Sequence, residues 1–258
     1  MPDTPLMTAC IVTYNSQEHI RNVLTSLKMS TIGSRMNIIV VDNASQDDTA
    51  GIVESEFPDV RLIKLTENIG FGKAHNKALP YMNAPYHVIV NPDITLQPDV
   101  LEQMADFMDS RPDVSLLSPK VLHPDGKEQF LPKELPSVHY LMGGFFETFG
   151  KPFTTWRGRY TWREKGIAEP TEACNATGCF MFTRASALKA VNGFDNRYFL
   201  YFEDADLTRE MKKQGIVLYH PGFAVTHVWA RESARKFKST MMLIRSMTQY
   251  FHKWGWKI

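Results

Sequence analysis

Cysteine is scarce in this chain. Only Cys10, Cys174 and Cys179 occur among 258 residues. Their number is odd, they form no Cys-x-x-Cys pair, and no histidine stands beside them at ligand spacing. A disulfide framework and a zinc centre are thereby excluded, and the three read as reduced thiols of an intracellular protein. Long apolar runs are also missing: none approaches the roughly 18 residues that span a bilayer. The chain opens Met-Pro-Asp-Thr-Pro, without a basic region ahead of an apolar stretch, so no targeting segment is expected and the cytoplasm is the expected compartment. A net charge of +1 gives no global attraction for nucleic acid, and none is expected as a partner. Glycine is absent where a dinucleotide fold needs it. The segment Tyr14–His19 after the first apolar stretch has no glycine-rich turn, and Gly70-Phe-Gly72 carries half of that motif in a later place. Phosphates must be neutralised in another way, and a metal ion is the obvious means.

The first hundred residues alternate between apolar stretches and helical periodicity. Strands are expected at Thr8–Thr13, 37–41, Arg61–Leu65 and 87–90. Helices are expected from Ile20, Val23, Leu24 and Leu27 behind a Ser16 cap, from Ile52, Val53 and Phe57, and over Phe71–Met82. Continuous apolar strands between helices mean a parallel sheet covered on both faces. In such sheets ligands bind beyond the carboxyl ends of the strands. Polar residues cluster at those ends: Thr13, Tyr14 and Asn15, then Asp42 and Asn43, then Glu67 and Asn68, then Asn91 and Asp93. A further helix carries Val100, Met104, Phe107 and Met108. Lys127–Pro170, rich in aromatics and arginine, has poor periodicity and reads as a long loop or small helical insert over the site. Later strands are expected at Gly178–Thr183, and at 216–219 and 223–228 split by Pro221-Gly222.

Two features carry chemistry. In Tyr198-Phe-Leu-Tyr-Phe-Glu-Asp-Ala-Asp-Leu207 an apolar run meets Glu203, Asp204 and Asp206, where a helix starts that stops by Gly215. A carboxylate there is favoured by the helix dipole and screened from water by the apolar run, which suits a general base; capping alone would also place acids there. The Asn91-Pro-Asp93 turn and His227 at the end of a strand offer an oxygen and an imidazole, a donor set for Mg²⁺ or Mn²⁺. The last segment differs in charge. Arg231, Arg235, Lys236, Lys238, Arg245, Lys253 and Lys257 stand against the single Glu232, a net of about +6 on an amphipathic aromatic stretch. Such a helix either lies on an anionic membrane or packs on its own domain.

Taken in order, Ile11-Val-Thr-Tyr-Asn-Ser16, Ile39-Val-Val-Asp-Asn-Ala-Ser45, Glu67-Asn-Ile-Gly-Phe-Gly72 with Asn76, Asn91-Pro-Asp93, Ser118-Pro-Lys-Val-Leu122, Gly193-Phe-Asp195, Phe199–Leu207 and His227 resemble the family 2 glycosyltransferases of the GT-A fold. The likeness is nearest to bacterial rhamnosyltransferases of cell-wall and O-antigen polysaccharide synthesis. It implies an α/β, Rossmann-like, mostly parallel central sheet with helices on both faces and a C-terminal helical segment. The catalytic domain would span 1–228, with a nucleotide-sugar half over 1–125 and an acceptor half over 126–228, and 229–258 would be the basic helix. The resemblance further implies that Thr13, Tyr14, Asn15, Asp42, Asn43, Asn68, Gly70, Phe71, Asn76 and Asn91 line the donor site. Asp93 and His227 would bind the divalent cation, although Asn91 stands where the first acid of the family's Asp-x-Asp motif often is. Asp204 would be the base with Glu203 its rival, and Asp206 would stay with the helix. Trp156, Arg157, Trp162 and Tyr201 are the candidate acceptor contacts. The implied activity is inverting transfer of a sugar, L-rhamnose from dTDP-rhamnose being the leading candidate among dTDP- and UDP-sugars. The acceptor would be a lipid-diphosphate-linked saccharide or a polysaccharide at the inner face of the plasma membrane, reached through residues 231–258; a homodimer is left open. The alternatives are a sugar nucleotidyltransferase, which would want a glycine-rich basic loop in place of Tyr14–His19, and an inactive glycan-binding or scaffold domain, which would have no need of Asp93 and Asp204.

Overall fold

Every residue of Met7–Thr13 (β1) is buried, as a strand covered by helices on both faces requires. The computed structural model describes residues 5–228 and 237–257, the side chains of 237 and 238 excepted. After β1 come Ile20–Lys28 (α1), Met36–Asp42 (β2), Thr49–Glu56 (α2), Arg61–Lys64 (β3), Phe71–Asn76 (α3), Tyr86–Val90 (β4), Ile94–Leu96 (β5) and Val100–Ser110 (α4). The second half contributes Val114–Leu122 (β6), Val138–Phe145 (α5), Phe153–Tyr160 (α6), Thr171–Glu172 (β7), Phe180–Arg184 (β8), Ala185–Ala190 (α7), Glu203–Met211 (α8), Ile216–His227 (β9) and Phe237–Trp254 (α9).

The sheet order is β3-β2-β1-β4-β8-β6-β9-β5, with β7 on β9. The first four strands are mutually parallel, and β6 and β9 run the same way; β5, β7 and β8 run against them. The mostly parallel sheet read from the apolar runs is therefore present, with an antiparallel strand let in at its centre. Residues of β1, β2, β4 and β8 share one large core with Ile20, Val23, Leu24 and Leu27 of α1.

Several local expectations are corrected. The third helix stops at Asn76 and is followed by a 3₁₀ turn at Leu79–Tyr81; Pro80 has no amide hydrogen and cannot continue an α-helix. The α1 cap position is His19, and the Ser16 hydroxyl instead accepts from the Tyr14 amide. The two short strands expected around Pro221-Gly222 are one strand. The pairing with β6 jumps from Pro119↔His220 to Lys120↔Ala224, so proline and glycine sit in a bulge, where a missing ladder donor costs least. Between Lys127 and Pro170 lie α5, α6 and a 3₁₀ turn at Glu147–Phe149, a small helical insert.

Candidate active site

The parallel register sets Thr13 beside Asp42 at the carboxyl ends of β1 and β2. Thr13 Oγ1 donates to Asp42 Oδ1 at 2.9 Å, and the Ser45 amide and hydroxyl both donate to the same carboxylate. Asn43 is buried and acts as a clasp. Its Nδ2 donates to Asn68 Oδ1 at 3.0 Å and to the Gly70 carbonyl, while its Oδ1 accepts from the Ile69 amide at 2.9 Å. Gly70 then makes a contact no side chain would permit. Its φ is +93° and a Cβ there would lie 2.3 Å from the Phe199 carbonyl oxygen, the same oxygen that accepts from the Phe71 amide at 3.0 Å. The Phe71 ring rests edge-on against His75 and Phe194. His75 is buried, and burial followed by the charge of His87 pushes it down to about 3, so it packs as a neutral ring. Tyr14, Asn15, Asn43, Asn68, Gly70, Phe71, Asn91 and Asp93 line one cleft of about 570 Å³. Thr13, Asp42 and Asn76 lie outside that lining. Asn76 holds the turn after α7, with Nδ2 donating to the Phe194 carbonyl at 2.7 Å and Oδ1 accepting from the Phe194 amide.

At the cleft's far end Asp93 and His227 meet. The β5–β9 pairing begins at Ile94↔His227, and His227 Nε2 lies 3.1 Å from Asp93 Oδ1. Burial works to raise the Asp93 carboxyl, but hydrogen bonding and charge from His227 outweigh it and hold the group below the usual carboxylate range. Behind the imidazole stands Gln129, absent from the sequence-based site. Its Oε1 lies 3.1 Å from His227 Nδ1 and its Nε2 donates to the His227 carbonyl at 2.6 Å, the kind of support that orients a ligating histidine. The described residues hold no cluster of three or more His, Cys, Asp or Glu arranged for a metal. A carboxylate and an oriented imidazole on the wall of the donor cleft nevertheless fit a hard cation that completes its shell with diphosphate oxygens and water.

The acids open onto a second cavity of about 470 Å³, lined by Glu203, Asp204, Tyr201, Arg157, Tyr160 and Lys133 among others. Tyr201 and Phe202, directly before α8, both have positive φ, 72° and 68°. For bulky residues this is strained backbone, which persists only where surrounding packing enforces it. Here α9 enforces it: the Phe202 ring packs on Tyr250 and Phe251, both fully buried. Glu203 is buried and its Oε2 has no hydrogen-bond partner among the described residues. Burial, then the neighbouring Asp204 charge, pushes its carboxyl up to about 8. Asp204 is half-buried, with Oδ2 accepting from the Gly178 amide at 3.2 Å. Asp206 does stay with the helix. It is buried and accepts from Lys253 Nζ at 2.8 Å, Trp254 Nε1 at 2.6 Å and Tyr198 Oη at 3.2 Å.

Gly178 joins the two cavities. A Cβ at this position would stand 3.3 Å from Phe71 Cε1, on the donor cleft, and 3.4 Å from Asp204 Cβ. The next residue, Cys179, accepts from the Asn91 amide at 2.8 Å. The cleft, the turn at 91–93 and the acid pair are thus stitched together over two residues of backbone. Of the four acceptor candidates, Arg157 and Tyr201 line the acid cavity. Trp156 is not among its lining residues and packs on His139 and Phe153. Trp162 is buried, donates to Glu134 Oε1 at 2.7 Å and borders a separate small cavity.

In the C-terminal segment, Arg231, Glu232, Arg235 and Lys236 lie outside the described residues, as does the Lys238 side chain. Lys253, one of the seven cations of this segment, faces inward and pairs with Asp206, Asp195 and Glu210 at 2.8, 3.1 and 3.0 Å. No helix among the described residues is long and apolar enough to cross a membrane.

The chain belongs to glycosyl transferase family 2, whose model matches residues 8–191, and it is a glycosyltransferase of the GT-A fold. It is 27% identical over 274 residues to an N-acetylglucosaminyl-diphospho-decaprenol L-rhamnosyltransferase of Mycobacterium tuberculosis (strain CDC 1551 / Oshkosh), covering 98% of this chain and 87% of that one. The rhamnosyltransferase WbbL of Escherichia coli (strain K12) is 29% identical over 181 residues, 66% of this chain and 64% of the relative. Among solved structures, the mannosyltransferase PcManGT of Pyrobaculum calidifontis in complex with GDP-Man and Mn²⁺ superposes with a TM-score of 0.65 at 18% identity, over 98% of this chain and 66% of the other. S. aureus TarS 1-349 in complex with UDP-GlcNAc gives 0.64 at 18% identity, over 95% and 66%.

Proposed function

We propose that the protein is an inverting transferase that moves L-rhamnose from dTDP-rhamnose onto a hydroxyl of a lipid-diphosphate-linked saccharide. The observation that carries the reading is the junction at Gly178, where Asp204 is bonded to backbone that packs against Phe71 of the donor cleft. A base at the end of a nucleotide-sugar cleft is what single displacement needs. The acceptor hydroxyl attacks the anomeric carbon and its proton passes to the Asp204 carboxylate. The bond from that carbon to the diphosphate oxygen breaks on the opposite face, and the configuration inverts. Asp204 suits this role better than Glu203, whose carboxyl burial and the Asp204 charge push upward, favouring the protonated form, which is too weakly basic to take the proton. Mn²⁺ or Mg²⁺ held by Asp93 and His227 would supply positive charge against the diphosphate leaving group. Thr13, Asp42 and Asn43 shape the base and ribose end of the cleft through the bonds they make with one another and with the Asn68–Gly70 loop.

The sugar follows the likeness to the two rhamnosyltransferases and the acceptor the likeness to the mycobacterial one; work at the inner face of the plasma membrane is part of the same proposal. Exposed Met241 and Ile244 of α9, with Trp256 just beyond it, support the view that this segment offers an apolar face to an anionic bilayer, with Lys253 reserved for the domain. Sedimentation with phosphatidylglycerol vesicles tests this, and a protein left wholly in the supernatant would count against it. The principal test is chemical. With dTDP-rhamnose and a polyprenyl-diphosphate-linked N-acetylglucosamine, Asp204→Asn is expected to lower the transfer rate by about three orders of magnitude and to keep the thermal shift given by the donor. A variant that turns over like the wild type would overturn the assignment.

A further inference from the structure

We infer that Lys133 and Arg157 form a diphosphate subsite in the acid cavity, and that an exposed phenylalanine ledge on α5 carries the polyprenyl chain attached to it. The inference rests on the acceptor class just proposed and says which residues of this chain would recognise it. Both cations line the cavity that holds Glu203 and Asp204, and both lack close neutralisation. Lys133 has no ion pair among the described residues, and the Arg157 guanidinium reaches Glu147 only at 4.0 Å. Two such cations beside two acids leave room for a group that is itself multiply anionic, and guanidinium and ammonium suit diphosphate oxygens.

The cavity also has apolar lining. Leu141 and Phe145 of α5 and Leu243 of α9 contribute it, beside Ser239 and Thr240. Outward along α5 and the following 3₁₀ turn, Phe145, Phe146 and Phe149 are 50%, 42% and 76% exposed, and Ile244 on α9 is 43% exposed. A run of exposed aromatics ending at a catalytic cavity is a binding surface rather than scattered surface apolarity. Lys133 and Arg157 line the cavity while the exposed phenylalanines lie outward of it, which favours one amphiphile with its charged group drawn in and its hydrocarbon left on the ledge.

Isothermal titration of the full chain with geranylgeranyl diphosphate tests this, with inorganic pyrophosphate and geranylgeraniol in separate runs. Binding of the whole amphiphile is expected to be at least about tenfold tighter than either half. Lys133→Gln, Arg157→Gln and the Phe145→Ser/Phe149→Ser pair are each expected to weaken it by about tenfold or more. A retained nucleotide-sugar thermal shift shows that each variant is folded. Unchanged affinity in both cation variants would overturn the diphosphate subsite, and pyrophosphate binding as tightly as the amphiphile would overturn the ledge. The two readings fail separately. A wild type that transfers sugar to the lipid-linked acceptor while the variants bind and turn over normally removes only this inference. A wild type that binds geranylgeranyl diphosphate through these residues and transfers nothing removes the proposed reaction.

Discussion

The donor cleft and the acid cavity are built on opposite principles. Around the cleft the polar side chains are consumed by the fold: Asp42 accepts from Thr13 and Ser45, Asn43 bonds three ways to the Asn68–Gly70 loop, and Asn76 ties down the turn at Phe194. Satisfied buried groups make a rigid wall. In the cavity Glu203 keeps an unpartnered oxygen and an elevated carboxyl, and two consecutive bulky residues hold left-handed backbone. The cleft is preorganised by its own hydrogen bonds, whereas the cavity is held in shape from outside, by α9. The C-terminal helix is therefore a structural support of the acid helix as well as a surface.

That contrast can be broken from the cavity side first. Lys253→Ala removes the cation shared by Asp206, Asp195 and Glu210 and leaves the buried Asp206 carboxylate with one partner fewer. A loss of about 3 kcal/mol is expected, read as a lower midpoint in urea unfolding, with transfer falling more than donor binding. Equal loss of both would mean that α9 supports the two regions alike. On the cleft side, Asp93→Ala is expected to abolish the extra thermal stabilisation that Mn²⁺ adds to a bound nucleotide sugar, equivalent to about 2 kcal/mol of donor affinity. A variant as responsive to EDTA as the wild type would remove Asp93 from the cation site. Asn43→Ala should cost about 1–2 kcal/mol, because the bonds it loses are buried, and should weaken donor binding while Asp204-dependent turnover at saturating donor persists.

A pH titration sharpens the account of Glu203. Its folded-state carboxyl is raised from the ordinary 4.5 to about 8, so the folded protein holds a proton that the unfolded chain has released over that interval. Stability from this group is full below about pH 4.5 and declines as pH rises toward 8. Glu203→Gln cannot ionise and is expected to lose less stability than the wild type between pH 5 and pH 8, a gap in melting temperature that widens as the pH rises. Parallel pH profiles for the two proteins would show that the carboxyl is not held neutral.

The parallel strands were legible because burial on both faces writes itself as uninterrupted apolar runs, as in Met7–Thr13 and Tyr86–Val90, with polar residues just beyond them. The acid stretch was legible because Glu203, Asp204 and Asp206 open a helix directly after a run of aromatics. Gln129 and Gly178 were not. Each acts on a partner far along the chain, Gln129 on His227 across 98 residues and Gly178 on Asp204 across 26, and neither leaves a periodic or compositional trace. Trp162 shows the converse: its aromatic, arginine-rich neighbourhood marked it as an acceptor contact, yet its indole is spent on Glu134.

By itself the sequence determined what is local and ordered along the chain: strand burial, the sites of acids and turns, and the family pattern that places Asp93, His227 and Asp204. Only the tertiary structure decided how these meet. It brought the backbone at Gly178 between Phe71 and Asp204, turned Lys253 inward to Asp206, and set Lys133 and Arg157 in the lining of the cavity that holds the acids. Those outcomes depend on which elements pack together, and side-chain packing and charge pairing across a folded sheet are set by distances that no spacing along the chain encodes.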